Sequence, residues 1–544
     1  MRLYALALIA LACNSEGEPK STPLTPDKPD PVTIELLPIG PDPVETETFS
    51  QALDARPEVV AEAKGHRVRQ LRFELLPDPA TGDPISSRFI AVYYDYDDNR
   101  AFSVQGDMSA PATLAIAPSP EQLPPSLDER EEARRIALAD PQIAADHAAG
   151  RIELFDAMPP TIDNEAGHRM IALGIRPTNT TETGEIAGVD LTTRQLVHLP
   201  GNRPSNSKVG GFVCNPPPYA NQGGPGRGTP GWARVRLVQS GVEIWSMLVR
   251  RPSSSGGTNG SGVELGDVRY MGKTMLSRAN VPILNVLYDG NACGPYRDWQ
   301  YEENPFTIGN TLAQLGPGIR VVDWAKTMRE TRDDTGNFTG VALYWDDVHQ
   351  QAVIISELTA GWYRYMSEWR FGLDGTITPR WGFDAVQNWC TCQTHTHHAY
   401  WRLDLQLGNG ANQFEQIDDA TAAWAPINTE GKRTRDDAGG RHWRVRDPAT
   451  GDSVLIRPSG PEDAADAYGI ADAWFLAAHP NEIDDAGQPT PYPTAAGLDA
   501  FLNNENVANQ DVVLWWGGHF VHNDANPAGN QTHTTQLTLT PETW

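Results

Sequence analysis

The chain has 544 residues, with 43 basic and 70 acidic side chains and a net charge of −27. That length exceeds what one hydrophobic core serves, so about two to four domains are expected. The acidic balance argues against a nucleic-acid partner, because phosphate binding needs a basic surface, while 49 Gly and 44 Pro point to a turn-rich, β-rich body.

Residues 1–33 read as a lipoprotein-type signal and tether. Arg2 is followed by a short apolar run over 3–12, and Ala10-Leu11-Ala12-Cys13 resembles a bacterial lipobox. The run is too short to span a bilayer. Cys13 is the expected lipidation site, which would place the chain outside the cytoplasm, anchored to a bacterial envelope membrane. Plain secretion or a periplasmic location is the alternative. The following segment, rich in Pro, Ser, Thr and charge, suits a flexible linker.

Residues 34–122 read as a small α+β domain. A helix is expected over 49–64, then strands over 66–76, 89–94 and 101–104, the last two joined by a turn at Asp97-Asp98-Asn99. Residues 123–205 form a second such domain. Ser126 with Glu129 is a capping-box signature opening a helix to Ala139, and strands follow over 152–155, 169–175 and 186–191. A stretch over 199–231, dense in Gly, Pro and Asn, reads as a linker or wrapping loop. Residues 206–544 alternate short apolar strands with turns, including a hairpin of 342–345 with 352–355. The fold class is therefore α+β and mainly β: two small α+β domains before a large antiparallel β-sandwich. Four cysteines remain, Cys214, Cys293, Cys390 and Cys392. Disulfides suit an exported chain, but pairing is not readable from sequence.

The chemistry concentrates in the last part. His395 and His397 stand two apart in a strand-like run, so both imidazoles share one face and can reach one ion, while His398 points to the other. A third ligand is available after the strand opened by Asp511, at His519 or His522. Three imidazoles without a thiolate suit copper, zinc or non-haem iron. No His-Glu-x-x-His motif of a zinc hydrolase is present.

Upstream lies Thr359-Ala360-Gly361-Trp362-Tyr363-Arg364-Tyr365, followed by Trp369-Arg370-Phe371 and Asp374-Gly375-Thr376-Ile377. Here the chain resembles the copper amine oxidases. Their cofactor tyrosine sits in Thr-x-Gly-Asn-Tyr-Asp/Glu-Tyr, and their copper ligands are an His-x-His pair before Arg-Leu-Asp and a later histidine. The resemblance implies that His395, His397 and His522 bind copper and that Tyr363 is oxidised to topaquinone. It implies that Tyr288, ending the run Val286-Leu287-Tyr288, hydrogen-bonds the quinone, and that Glu302 is the catalytic base, with Glu303 and Asp298 as alternatives. Asp404 and Asp511, with the carbonyls of Leu405 and Val512, match a secondary site of calcium type. A homodimer that converts a primary amine and oxygen to aldehyde, ammonia and hydrogen peroxide is the implied activity. The chain departs from the family at Trp362, Arg364 and Glu302. A copper-binding relative that never forms the quinone, with a binding or structural role, is the second reading.

Overall fold

The computed structural model describes residues 30–544 except 79–84, 120–122, 163, 179–184, 199–216, 218–219, 221–223, 289–294, 317, 387–390, 392–393, 421, 460–471, 480, 484–494 and 523–533. The signal and tether to residue 29, the lipidation site Cys13, most of the Gly/Pro-rich linker and Cys214, Cys293, Cys390 and Cys392 lie outside the described residues. Among the described residues, no helix is long and apolar enough to cross a membrane.

The first small sheet has the strands Val68–Leu75, Arg88–Asp95, Arg100–Asp107 and Ala115–Ser119 in sequence order. The helix expected over 49–64 is instead two helices, Pro43–Ala52 and Pro57–Ala63. Asp42 caps the first through the backbone N–H groups of Val44 and Glu45 at 2.8 and 3.2 Å. Pro57 then forces Arg56 into an extended conformation and restarts the helix at its own first turn, which periodicity alone does not reveal. The second small sheet orders Ile152–Thr161, Met170–Pro177, Glu185–Asp190 and Gln195–Val197. Its helix, Leu127–Ala137, opens with both halves of the Ser126–Glu129 capping box formed. A further helix, Pro141–Ala148, is capped by Asp140.

The remainder builds two large sheets. The first runs Thr33–Leu37, Trp232–Gln239, Val242–Arg250, Glu264–Tyr270, Lys273–Tyr288, His395–Leu405, Val512–His522, Ala473–Ala477 and Gly431–Arg433, with Pro295–Arg297 also pairing Lys273–Tyr288. Thr33–Leu37, which the sequence divides between tether and small domain, thus forms an edge of the large sheet by antiparallel pairing to Trp232–Gln239. The second large sheet is 11-stranded and carries the hairpin Val341–Asp346 with Gln351–Ala360, then Tyr363–Gly372, Ile377–Ala385 and Thr534–Thr543. One continuous core joins the inner faces of both sheets, with Val286, Leu284 and Leu403 from one meeting Tyr365, Phe383 and Trp381 from the other. This is a mainly antiparallel sandwich, with Ile319–Val322 and Val341–Asp346 pairing in parallel.

Candidate active site

The site follows from register. His395 is the Cα partner of Tyr288 on one side and of His522 on the other. Directly opposed residues on antiparallel strands project to the same face, as do residues two apart on one strand. Tyr288, His395, His397 and His522 are therefore brought to one face, and it is the inner one. The three histidines are at most 4 % exposed. Ring centroids are 4.8 Å apart for His395 and His397, and 4.7 Å for His395 and His522. Two imidazoles bound to one ion have centroids no more than ~6.4 Å apart when each nitrogen lies about 2.1 Å from the metal, so both spacings fit a shared ion.

Across the core, the second sheet contributes Tyr363 and Tyr365 from Tyr363–Gly372, and Phe383 from Ile377–Ala385, where Tyr365 and Phe383 are Cα partners. Ala360 pairs Tyr363, so Gly361 and Trp362 form a two-residue turn. Its first position has φ +57°, which glycine adopts without strain. The Tyr363 ring lies 4.8 Å from His397 and 5.6 Å from His395 between centroids, and Phe383 stacks on His397 at 3.9 Å. The Tyr363 and Tyr288 hydroxyls share a hydrogen bond, and the Trp362 indole N–H donates to Tyr288 Oη at 3.1 Å. Burial, reinforced by Tyr363, pushes the Tyr288 phenol well above its usual range. Trp362 thus supplies a donor beside the tyrosine pair, where the family pattern has an amide.

Arg364 points the other way by strand alternation, and its charge is met there. Its Nε and Nη2 donate to Asp334 at 2.6 and 2.9 Å, with both side chains fully buried. Its Nη1 donates to Thr359 Oγ1 at 2.5 Å and to the carbonyls of Gly361 and Tyr363 at 3.2 and 2.9 Å. The guanidinium therefore clasps the turn that carries Tyr363.

The three carboxylates considered for the base differ sharply in surroundings. Glu302 is held by Arg130 of the helix Leu127–Ala137 and accepts from the Trp299 indole at 3.0 Å. Burial raises its carboxyl, while Arg130 pulls the other way. Glu303 pairs with Arg251, whose Nε donates at 2.8 Å, and accepts from Ser253. Among the described residues, Asp298 has no such cation hydrogen-bonded to it. Its Oδ2 accepts from the Tyr365 hydroxyl, and its buried Oδ1 has no hydrogen-bond partner among the described residues. Burial pushes the Asp298 carboxyl up to about 8, against the opposing pull of the Tyr365 hydrogen bond and Arg297. Tyr365 Oη also lies 3.3 Å from His397 Nδ1. A metal on His397 Nε2 requires the proton on Nδ1, which then donates to Tyr365.

His398 and His519 are Cα partners on the opposite face, so His519 does not join the inner three. His519 is bonded instead to Asp472 at 2.7 Å. At the far end of the same strands, Leu405 pairs Val512. Asp404 accepts from Ser277 Oγ and from Arg402 Nη1, the latter at 3.2 Å. Asp511 is exposed but pushed up to about 6 by partial desolvation and by the charge of Asp404. Elsewhere, His66, Asp95 and Asp97 hold one ligand atom each within 4.8 Å of one another. Asp95 there also accepts the turn N–H groups of Asp97 and Asp98, each at 3.0 Å.

Sequence reasoning missed Arg130, Asp334 and Phe383. Phe383 had a signal, its alternation along the aromatic strand beside Tyr365. Arg130 and Asp334 had none, since their partners lie 172 and 30 residues away.

No protein-family model matches the sequence, and no curated protein matches it. Solved structures do. A copper-containing benzylamine oxidase from Hansenula polymorpha superposes with a TM-score of 0.58 at 14 % identity, over 92 % of this chain and 96 % of that one. The lysyl oxidase PPLO of Pichia pastoris gives 0.56 at 13 %, over 88 % and 85 %. The amine oxidase of Aspergillus nidulans gives 0.57 at 12 %, over 94 % and 90 %. At these identities the likeness is one of fold, and the chain shares the multidomain, β-rich fold of these oxidases.

Proposed function

We propose that the chain is a copper- and quinone-dependent oxidase of primary amines, releasing aldehyde, ammonia and hydrogen peroxide. The observation that carries this reading is the meeting of three buried imidazoles with Tyr363 across the sandwich core. The donor set fits copper, being all nitrogen, buried and without a thiolate. Copper at His395, His397 and His522, with topaquinone made from Tyr363, would supply the oxidising power and pass two electrons from amine to oxygen.

The chain's own residues supply position and proton handling. Tyr288, supported by the Trp362 N–H, holds the oxygen of residue 363. Arg364 and Asp334 fix the turn behind it. Asp298 is the group we assign to remove the proton from the amine's α-carbon, at Oδ1. A base works best when its pKa lies near the working pH, and burial brings Asp298 there. Glu302, the carboxylate first expected in this role, instead has Arg130 against it, and we assign it to docking the helix Leu127–Ala137 beside the site. Calcium at Asp404, Leu405, Asp511 and Val512, a homodimer, the domain limits at 122 and 205 and a lipid anchor on Cys13 belong to the same proposal.

The test is a visible spectrum of copper-loaded, aerated protein before and after phenylhydrazine, with Tyr363→Phe alongside. A broad band that shifts with the hydrazine and is missing from the variant supports the oxidase. Bound copper with no such band in the parent protein leaves the copper-binding relative as the reading.

A further inference from the structure

Behind the inner histidines, the same three strands present a second buried polar row. Asn285, His398 and His519 are successive Cα partners across Lys273–Tyr288, His395–Leu405 and Val512–His522. They share the face opposite His395 and His397 by strand alternation. All three are at most 2 % exposed. The His398 and His519 ring centroids are 6.0 Å apart, inside the ~6.4 Å limit for two imidazoles on one ion.

The row is backed by a carboxylate. His519 Nε2 lies 2.7 Å from Asp472 Oδ1, and Asp472, 1 % exposed, is held in turn by the Arg435 backbone N–H. An imidazole that donates one N–H to a buried carboxylate presents its other nitrogen as a lone pair, which is how metal-bound histidines are commonly oriented. Here the other nitrogen, His519 Nδ1, has no hydrogen-bond partner among the described residues. Neither does the oxygen or the nitrogen of the Asn285 carboxamide. Buried polar atoms left unsatisfied are costly, and a cation would satisfy both the imidazole lone pair and the carboxamide oxygen. Arg297, the other Cα partner of Asn285, adds a positive charge that opposes an ion at that end, and the Asp472 carboxylate offsets it at the other.

We propose that His398, His519 and the Asn285 carboxamide hold a second divalent transition-metal ion, on the outer face of the sheet whose inner face carries His395, His397 and His522. Two neutral imidazoles and an amide oxygen suit zinc, with water completing a tetrahedral shell. The ion would tie the three central strands together directly behind the inner site, whether or not the inner histidines carry copper.

The experiment counts metal in the full-length protein after dialysis against a weak chelator, then zinc and copper addition and desalting. The expected result is one tightly bound zinc besides copper, with imidazole scattering at the zinc X-ray absorption edge. His519→Leu should lose that zinc and keep copper, while His395→Ala should lose copper and keep zinc. Asp472→Asn should fold and bind zinc about 10–100-fold more weakly. Parent protein that retains no zinc overturns the proposal, the row then holding water only. So does zinc that survives His519→Leu, or that leaves with His66→Ala. Should His519→Leu fail to fold, unchanged zinc affinity in Asp472→Asn overturns it equally.

Discussion

Replacing Arg364 by Met breaks an ion pair of which neither partner is exposed. The variant leaves the buried Asp334 carboxylate without its cation, beside the Ala220 N–H at 2.9 Å and the Asn304 amide at 3.4 Å. Removing one partner of a buried pair costs about 3–5 kcal/mol, because the other charge stays desolvated. Arg364→Met combined with Asp334→Leu removes both charges, and apolar replacements of whole pairs are roughly neutral or up to about 4 kcal/mol stabilising. The double variant should therefore be more stable than the single one by ~3 kcal/mol or more. Both variants lose the guanidinium contacts to the carbonyls of Gly361 and Tyr363. Both should accordingly form less hydrazine-reactive chromophore than the parent, although only the single variant is unstable. Urea denaturation followed by tryptophan fluorescence reads the first effect, since Trp245, Trp369, Trp381 and Trp401 are all buried in the sandwich. Hydrazine titration reads the second. A single variant within ~1 kcal/mol of the parent would refute the clasp, as would a double variant no more stable than the single.

Three further outcomes are expected. Turnover of amine, read as kcat/KM, should rise as pH passes through about 8, where Asp298 loses its proton; Asp298→Asn should remove that limb and slow turnover about 10²–10⁴-fold, while a limb lost in Glu302→Gln instead would move the role to Glu302. Asp298 and Glu357 are both pushed up to about 8 by burial, so the folded chain holds protons that the unfolded chain releases above about 4 to 4.5. Their contribution to stability is full below that range and is lost as pH rises towards 8, so the urea midpoint of metal-free protein should fall from pH 5.5 to 8, and a midpoint that rises contradicts the assignment. Calcium at Asp404 and Asp511 should lower the Asp511 carboxyl from about 6 and raise thermal stability, by ~2.7 kcal/mol at a concentration 100 times Kd; identical melting curves for parent and Asp511→Asn across a calcium titration would remove that site.

The amino-acid order alone determined a good deal. Alternation placed His395 and His397 on one face and His398 on the other, because strand geometry has a period of two wherever the strand lies. Ser126 and Glu129 announced a helix start, since a capping box is satisfied within four residues. The short apolar strands alternating with turns after residue 231 announced a sandwich for the same local reason. What tertiary structure decided was every relation between groups far apart in the chain. Only pairing register put His522 and Tyr288 beside His395, and only packing of the second sheet laid Tyr363 against His397. Strand Thr33–Leu37 joined the large sheet because an edge was open to it, a fact invisible in its own residues. Asp298 and Glu302 are both plausible carboxylates by composition. They differ because Arg130, from another layer of the fold, reaches one and not the other, and a buried charge takes its character from what surrounds it.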